Sequence, residues 1–202
     1  ELPDGAKERA RDWYRQNAFD YPWYDFVYQD FETVCDLLGL RLKTSPVRLY
    51  GGGTRQKPSI YFRGFWSQGD GACFEGQYRY RPGAGKAIRA HAPTGVELHQ
   101  IADTLLEVQR RNFYQLTASA IHRGHYYHEY GMVVDVDRDS LANQDMTADA
   151  EEGVKEALRD LARWLYRQLE RAFEYLNSDG AIDEAVEANA CRFTADGILS
   201  PN

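Results

Sequence analysis

One short segment between two strand-like stretches gathers four kinds of functional group. Trp66, Ser67, Gln68 and Asp70 supply an indole, a hydroxyl, an amide and a carboxylate, and a glycine stands on each side of the aspartate. Because glycine adopts positive φ at little cost, such a turn can present backbone N–H groups outward and bind an anion or a carbonyl oxygen. The alternative is an ordinary hairpin turn whose aromatic side chains face the core. We predict that these four residues bind a ligand and that none of them is catalytic.

Three histidines, His122, His125 and His128, are spaced three residues apart further along the chain. Imidazole is a common metal ligand, so the triplet suggests a metal site. In a strand, however, alternate side chains point to opposite faces, which groups His122 and His128 with Tyr126 and leaves His125 on the other side. The glycine and tyrosines between the histidines favour a strand. We therefore expect no metal, and we interpret His122, His128 and Tyr126 as polar sheet residues or as contacts to a ligand.

Two other patterns resemble known sites only in part. Three carboxylates at 135, 137 and 139 share one side of a predicted strand end, but Ser140 and Met146 stand where a calcium loop needs glycine and a bidentate glutamate. The glycines at 51–53 lack the glycine-lysine-hydroxyl order of a phosphate loop. We interpret the first pattern as a solvated strand end and residues 51–58 as a flexible hairpin loop.

Neither a nucleophile nor a phosphate-binding face is predicted from the cysteine and arginine patterns. Cys73 precedes Phe74 on a predicted strand, which is typical of a packed thiol. Four arginines follow one another at four-residue steps near the C-terminal end: Arg159, Arg163, Arg167 and Arg171. An acidic residue stands three positions from each, namely Glu156, Asp160, Glu170 and Glu174 respectively. Such spacing predicts an internally paired, solvated helix face. We predict no cofactor.

Hydrophobic periodicity places these side chains on an α+β fold. Helical spacing predicts helices that begin near Asp4, Asp20, Thr94 and Asp149, followed by a short helix over 179–189. Thr94 and Glu97 have the spacing of a capping box. Alternating patterns predict strands at about 40–50, 59–66, 72–80, 113–127 and 132–136. The sequence thus predicts one domain over 1–202, with an antiparallel sheet of about five strands packed by several helices, the longest near the C-terminus.

Composition narrows the classes of partner. The 202 residues carry a net charge of −7, and no apolar run approaches the length of a bilayer span. Three widely separated cysteines fit reduced thiols. We therefore expect a cytoplasmic protein without membrane contact. A nucleic acid-coating protein would normally be basic, so a nucleic-acid partner is not expected.

Four stretches of this sequence resemble a family of phage and prophage proteins commonly labelled "antitoxin of toxin-antitoxin stability system". They cover residues 6–14, 63–76, 110–116 and 122–128. The resemblance implies a small accessory protein of a mobile element, in the cytoplasm of a bacterial host, that works by binding a partner. It implies no catalytic residues.

Two functions follow as hypotheses. The first is a phage-encoded binding protein, antitoxin-like or counter-defence, that neutralises a host or cognate protein through a surface that includes Trp66. The second is a small-molecule-binding protein or enzyme with a pocket at the hairpin and the histidines His122 and His128. We expect binding rather than turnover, because the residue set offers polar groups but no activated nucleophile.

Overall fold

The computed structural model describes residues 2–17 and 21–200, and the described part is an α+β structure. Its helices are α1 (Asp4–Asn17), α2 (Asp25–Leu38), α3 (Ala84–His91), α4 (Val96–Arg111), α5 (Ala150–Leu176) and α6 (Asp179–Ala188). The predicted fold class and the long C-terminal helix are confirmed. The predicted start of the second helix at Asp20 lies outside the described residues.

The strands are short and divide among three antiparallel sheets. They are β1 (Leu40–Leu42), β2 (Thr44–Arg48), β3 (Thr54–Pro58), β4 (Ile60–Arg63), β5 (Gly71–Phe74), β6 (Gly76–Arg79), β7 (Leu116–His122) and β8 (Met132–Arg138). The largest sheet has the order β1-β6-β7-β8, while β2 pairs with β3 and β4 pairs with β5. The sequence predicted one sheet of about five strands; within the described residues, the largest has four.

Three two-stranded ladders meet at a junction formed by Lys43, Ser59 and Glu75. The N–H of Lys43 donates to the carbonyl of Glu75 (2.8 Å), Ser59 N–H donates to the carbonyl of Lys43 (2.8 Å), and Glu75 N–H donates to the carbonyl of Ser59 (2.9 Å). This closed ring of hydrogen bonds gives partners to backbone groups that would otherwise have none where the strands separate. The predicted strands over 40–50 and 72–80 are therefore each broken in two, at Lys43 and at Glu75.

Residues 28–167 form one compact unit that contains all three sheets. Its core includes Phe31, whose ring lies 5.4 Å from that of Phe74 and 6.4 Å from that of Trp164. Fully burying a side chain of this size stabilises a fold by about 1.5–3 kcal/mol. The helical spacing of Leu158, Leu161 and Leu165 puts all three on the buried side of α5.

The two ends of the chain, up to residue 27 and from residue 168, form a second compact unit. Arg11 on α1 donates to both carboxylate oxygens of Asp183 on α6, at 2.8 and 2.5 Å. These hydrogen bonds lower the pKa of Asp183. Gly197 has φ of +77°, and a Cβ there would lie 2.2 Å from the carbonyl oxygen of Ala6. Only glycine fits this turn.

Several local predictions are wrong for physical reasons. The capping box fails because α4 begins at Val96 after Gly95, which makes no side-chain cap, and Glu97 instead accepts from Arg167 at 2.8 Å. Residues 54–58 are a strand rather than part of a flexible loop, because they pair along their whole length with β2. The extent of a single domain over 1–202 stays a prediction. No described helix is both long and apolar enough to cross a bilayer.

Candidate functional site

The hairpin between β4 and β5 carries a seven-residue loop, residues 64–70, which we call the Trp66 loop. The Asp70 carboxylate accepts from the backbone N–H groups of Trp66 (2.9 Å) and Ser67 (2.6 Å). The N–H of Asp70 donates to the carbonyl of Ser67 at 3.0 Å. The predicted outward nest of N–H groups is therefore wrong at these two amides, because the protein's own carboxylate occupies them. Asp70 shapes the loop, and its direct contact with a ligand stays a prediction.

The base of the Trp66 loop packs against α5 while its tip faces solvent. The ring of Phe65 lies 5.6 Å from Tyr166, whose hydroxyl donates to the carbonyl of Gly64 at 3.2 Å. Trp66 is 80 % exposed, and Ser67 and Gln68 are also exposed. The alternative in which the hairpin aromatics all face the core thus applies to Phe65 and not to Trp66.

The histidine segment is a loop, not a strand. Strand β7 ends at His122, where its pairing with β8 also ends, and residues 123–131 form what we call the histidine loop. The predicted strand to residue 127 is wrong because no second strand pairs with residues 123–127 and Gly124 has φ of +117°. His122 and His128 therefore do not share the strand face that was predicted for them, since only His122 belongs to a strand.

The side chain of His122 contacts the histidine loop and stabilises it. It is half-buried, its Nε2 lies 3.0 Å from the carbonyl oxygen of Tyr126, and its ring lies 5.2 Å from that of Tyr127. Tyr127 in turn stacks on Tyr61 of β4, with 5.1 Å between ring centroids. His122 therefore positions the loop rather than facing outward.

The Trp66 loop and the histidine loop pack directly on each other. A Cβ added at Gly69 would lie 3.2 Å from the ring of Tyr126, and one added at Gly71 would lie 2.9 Å from Cδ2 of His128. The two glycines that flank Asp70 are thus required for the close approach of the second loop. The structure thus brings the two segments together at Gly69 and Gly71, which contact the predicted residues Tyr126 and His128.

An open pocket of about 340 Å³ lies where the two loops meet. Its lining includes Arg123 and Tyr130, which the sequence did not single out, together with Gly69, Tyr126 and His128. His125 also lines it, so the prediction that His125 lies on the side opposite His128 is wrong. Tyr126 and Tyr130 are 59 % and 66 % exposed. Tyr130 lies between the two predicted strands at 113–127 and 132–136, and its residue type alone did not separate it from the neighbouring tyrosines.

Charged side chains hold the end of the histidine loop. Glu129 is buried, with Oε2 at 3.0 Å from Nδ1 of His128 and Oε1 at 3.5 Å from Nη1 of Arg163. Nδ1 of His128 accepts from Tyr130 N–H at 3.3 Å when it is unprotonated, and it donates to Glu129 when it carries a proton. The guanidinium of Arg159 lies 5.4 Å from the centre of the Tyr130 ring. This cation–π contact fixes the orientation of the tyrosine.

Three arginines of the α5 ladder, Arg159, Arg163 and Arg167, form ion pairs, and the first two do so with the predicted partners. Arg163 contacts Asp160 at 2.6 Å and also Glu156, and Arg159 lies 3.6 Å from Glu156. Arg167 differs, since its partner is Glu97 of α4. The helix face that resembled a phosphate-binding ladder is therefore neutralised along this stretch.

The thiol nearest to the two loops is not available as a nucleophile. Cys73 is fully buried, and this burial raises its pKa to about 12. Because the thiolate is the reactive form, such a thiol is inert near neutral pH. Over residues 2–17 and 21–200, no three histidine, cysteine, aspartate or glutamate side chains are grouped so as to hold a metal ion.

Comparison with known proteins places both loops inside a defined family. Residues 23–179 match the family described as a domain of unknown function, DUF8835. The chain belongs to this family. The DUF8835 match spans the Trp66 loop, the histidine loop and all of α5. No curated protein and no solved structure shows significant similarity to the chain.

Proposed function

We propose that this chain is a binding protein that docks on a partner protein through an aromatic surface formed by Trp66, Tyr126 and Tyr130. The observation that carries the proposal is the exposure of these three rings, at 80, 59 and 66 %, on two loops that interlock through glycines. Tyrosine and tryptophan are enriched among the residues that contribute most to protein–protein binding.

Rigid support favours recognition because little conformational entropy is then lost on binding. The Trp66 loop is held by the Asp70 carboxylate and by the contact of Gly64 with Tyr166. Tyr126 packs on Gly69, and Tyr130 stacks on His128 with 5.4 Å between ring centroids. The supporting contacts thus lie beneath or beside the rings and leave much of their surface to solvent.

Binding is favoured over catalysis by the chemistry of the two loops. The buried Cys73 has a raised pKa, and one carboxylate oxygen of Asp70, Oδ2, already accepts from two backbone amides. The resemblance to phage antitoxin-labelled proteins adds the proposal that the partner is a host or cognate protein that the chain neutralises.

A small-molecule ligand is the second candidate function. The pocket of about 340 Å³ lies within the usual range for ligand sites, and Arg123, His125 and Tyr126 offer a cationic and aromatic lining. Its openness to solvent favours a protein partner, which can cover the pocket and the rings around it together.

Affinity capture of the tagged chain from its native cells tests the proposal, followed by calorimetry with the purified partner. Trp66→Ala and Tyr126→Ala should each weaken binding by about 2 kcal/mol or more, roughly 30-fold in Kd. Tyr175→Ala is the control, because Tyr175 is 64 % exposed and belongs to the other compact unit. If the partner binds both loop variants as tightly as it binds the wild type, the aromatic surface is not the binding site. Absence of any protein partner, with a bound metabolite seen in native mass spectrometry, would favour the second candidate.

A further inference from the structure

The chain is acidic overall, but one continuous stretch is purely basic. Between Asp36 and Asp70 there is no acidic residue, and the stretch contains six basic ones: Arg41, Lys43, Arg48, Arg55, Lys57 and Arg63. Charges are screened over about 8 Å at physiological salt, so a partner that contacts this stretch senses its local charge rather than the net −7. The prediction that no nucleic acid binds the chain was based on its net charge alone.

The middle of this basic stretch, residues 44–58, is a two-stranded ribbon that is exposed along nearly all of its length. Strands β2 and β3 pair over five residues each, and every residue from 43 to 57 is exposed. Five strand residues extend about 17 Å. Ser59, at the base of the ribbon, is buried in the junction ring. The ribbon is therefore an arm anchored at one end only.

The cations occupy both faces of the arm. Arg55 stands opposite Val47 and Lys57 opposite Ser45, while Arg48 stands opposite Thr54 on the other face. Across the described part of the chain, Arg48, Arg55 and Lys57 form no ion pair and no side-chain hydrogen bond. Lys43 differs, because Glu75 neutralises it at the base of the arm. Three uncompensated cations thus lie along the outer part.

The tip of the arm is apolar and narrow. Leu49 is 50 % exposed and Tyr50 is fully exposed. The glycines that follow close the turn, with Gly52 N–H donating to the carbonyl of Leu49 at 3.0 Å. The tip of the arm therefore consists of two apolar side chains followed by glycines, which have no side chains to widen it.

We propose that the β2–β3 ribbon is an arm that binds double-stranded DNA by entering a groove. A two-stranded ribbon fits the major groove of B-DNA, which is about 12 Å wide. Arg48, Arg55 and Lys57 are placed to contact phosphates on either side of the groove, and Thr54 and Gln56 provide hydrogen-bonding groups for base edges. Apolar side chains at such a tip can wedge between base pairs.

An anionic membrane would also attract these cations, but the rest of the arm fits it poorly. Two apolar side chains bury little area in a bilayer, and the stem alternates threonine, serine and glutamine with its cations. The DNA proposal is independent of the aromatic surface, so Trp66→Ala should leave DNA binding unchanged.

Fluorescence anisotropy with a labelled 20-base-pair duplex of mixed sequence tests the arm. For three phosphate contacts, affinity should fall roughly 40-fold between 50 and 200 mM salt. The triple variant R48Q/R55Q/K57Q should bind at least tenfold more weakly, and the slope of log K against log salt should shrink by about 3. The control K86Q/R110Q/R171Q removes the same charge from exposed helix positions and should bind DNA like the wild type.

A tip variant separates wedging from simple charge attraction. Tyr50→Ser removes no charge, so it should weaken duplex binding several-fold without changing the salt slope. Equal losses in the two triple variants would overturn the ribbon as the site, because net charge alone would then explain binding. Binding to phosphatidylserine vesicles but not to the duplex would also overturn the proposal, as would an absence of duplex binding at 50 mM salt.

Discussion

Lys43 and Glu75 are joined twice at the junction of the three ladders. The backbone N–H of Lys43 donates to the carbonyl of Glu75 at 2.8 Å, and its Nζ lies 2.7 Å from Oε2 of the same residue. The other carboxylate oxygen accepts from the N–H of His122 at 3.2 Å. A single carboxylate thus connects the base of the ribbon to the residue at which the histidine loop begins.

Removing this carboxylate should cost more than removing its lysine partner. Glu75 is buried and its loss leaves the His122 N–H without an acceptor, so Glu75→Ala should lower the free energy of unfolding by about 1–3 kcal/mol. Lys43→Met should have little effect, because the lysine side chain is 64 % exposed and solvent screens the pair. Urea unfolding of both variants measures the difference. A loss of equal size in the two would assign the stability to the ion pair instead of the buried hydrogen bond.

Gly64 should tolerate no side chain. Its φ is +49°, and a Cβ would lie 2.5 Å from Oδ2 of Asp70, which itself holds the loop. Gly64→Ala should therefore destabilise the fold by roughly 1–3 kcal/mol through strain and displacement of the carboxylate. Gly51→Ala is the control, because nothing lies within 4 Å of a Cβ there and its φ is not positive. Thermal unfolding should separate the two, and equal midpoints would contradict the described loop.

Thiol labelling should distinguish the three cysteines. Burial raises the pKa of Cys73 to about 12 and that of Cys35 well above its ordinary value, while Cys191 is only half-buried. With a disulfide reagent at pH 8, we expect one thiol to react quickly and two only after denaturation. Cys191→Ser should abolish the fast phase. A fast phase that persists in this variant would show that one of the buried thiols is accessible.

Acid should weaken the contacts of α5 at Glu156. Hydrogen bonds from Arg163 lower the pKa of the Glu156 carboxyl below its ordinary value of 4.5. A carboxyl whose folded pKa is depressed contributes stability above its unfolded pKa and loses it as pH falls through the folded value. Glu156→Gln should thus lower stability at pH 7 by at most about 1 kcal/mol, since solvent screens a side chain that is 43 % exposed.

The pH profile provides the check on Glu156. The melting temperatures of the wild type and Glu156→Gln should converge as the pH falls from 4.5 through the lowered pKa of the Glu156 carboxyl. Glu152→Gln is the matched control, because it makes the same charge change one turn earlier at an exposed position. A constant difference for Glu156→Gln across the whole range would rule out its carboxylate as the cause.

The helices could be predicted from the sequence because their signal is local. Leu158, Leu161 and Leu165 repeat at three and four residues, and that spacing alone identifies the buried side of α5. Helix α3 was not predicted. Only Ile88 is buried among its eight residues, so it shows no hydrophobic repeat. The strand breaks at Lys43 and Glu75 were not predicted either, because they depend on hydrogen bonds between residues far apart in sequence.

Part of the candidate site could be predicted and part could not. Local composition predicted the exposed turn that carries Trp66 and Asp70, and the binding role of both residues stays a prediction. Whether the histidines approach this turn depends on the contacts of Gly69 and Gly71 with the histidine loop, more than 50 residues away. The prediction of a strand at Tyr126 was wrong, because a strand needs a pairing partner as well as strand-forming residue types.

The closed junction ring makes the basic arm separable from the rest of the protein. Lys43 and Ser59, where the chain enters and leaves the arm, are hydrogen-bonded neighbours, so the backbone gap between them is the width of one strand pair. An Asn-Gly turn could bridge that gap and leave both the sheet and the two interlocked loops in place. In evolutionary terms, insertion, lengthening or loss of an arm at such a position would change what the protein contacts without rebuilding its core.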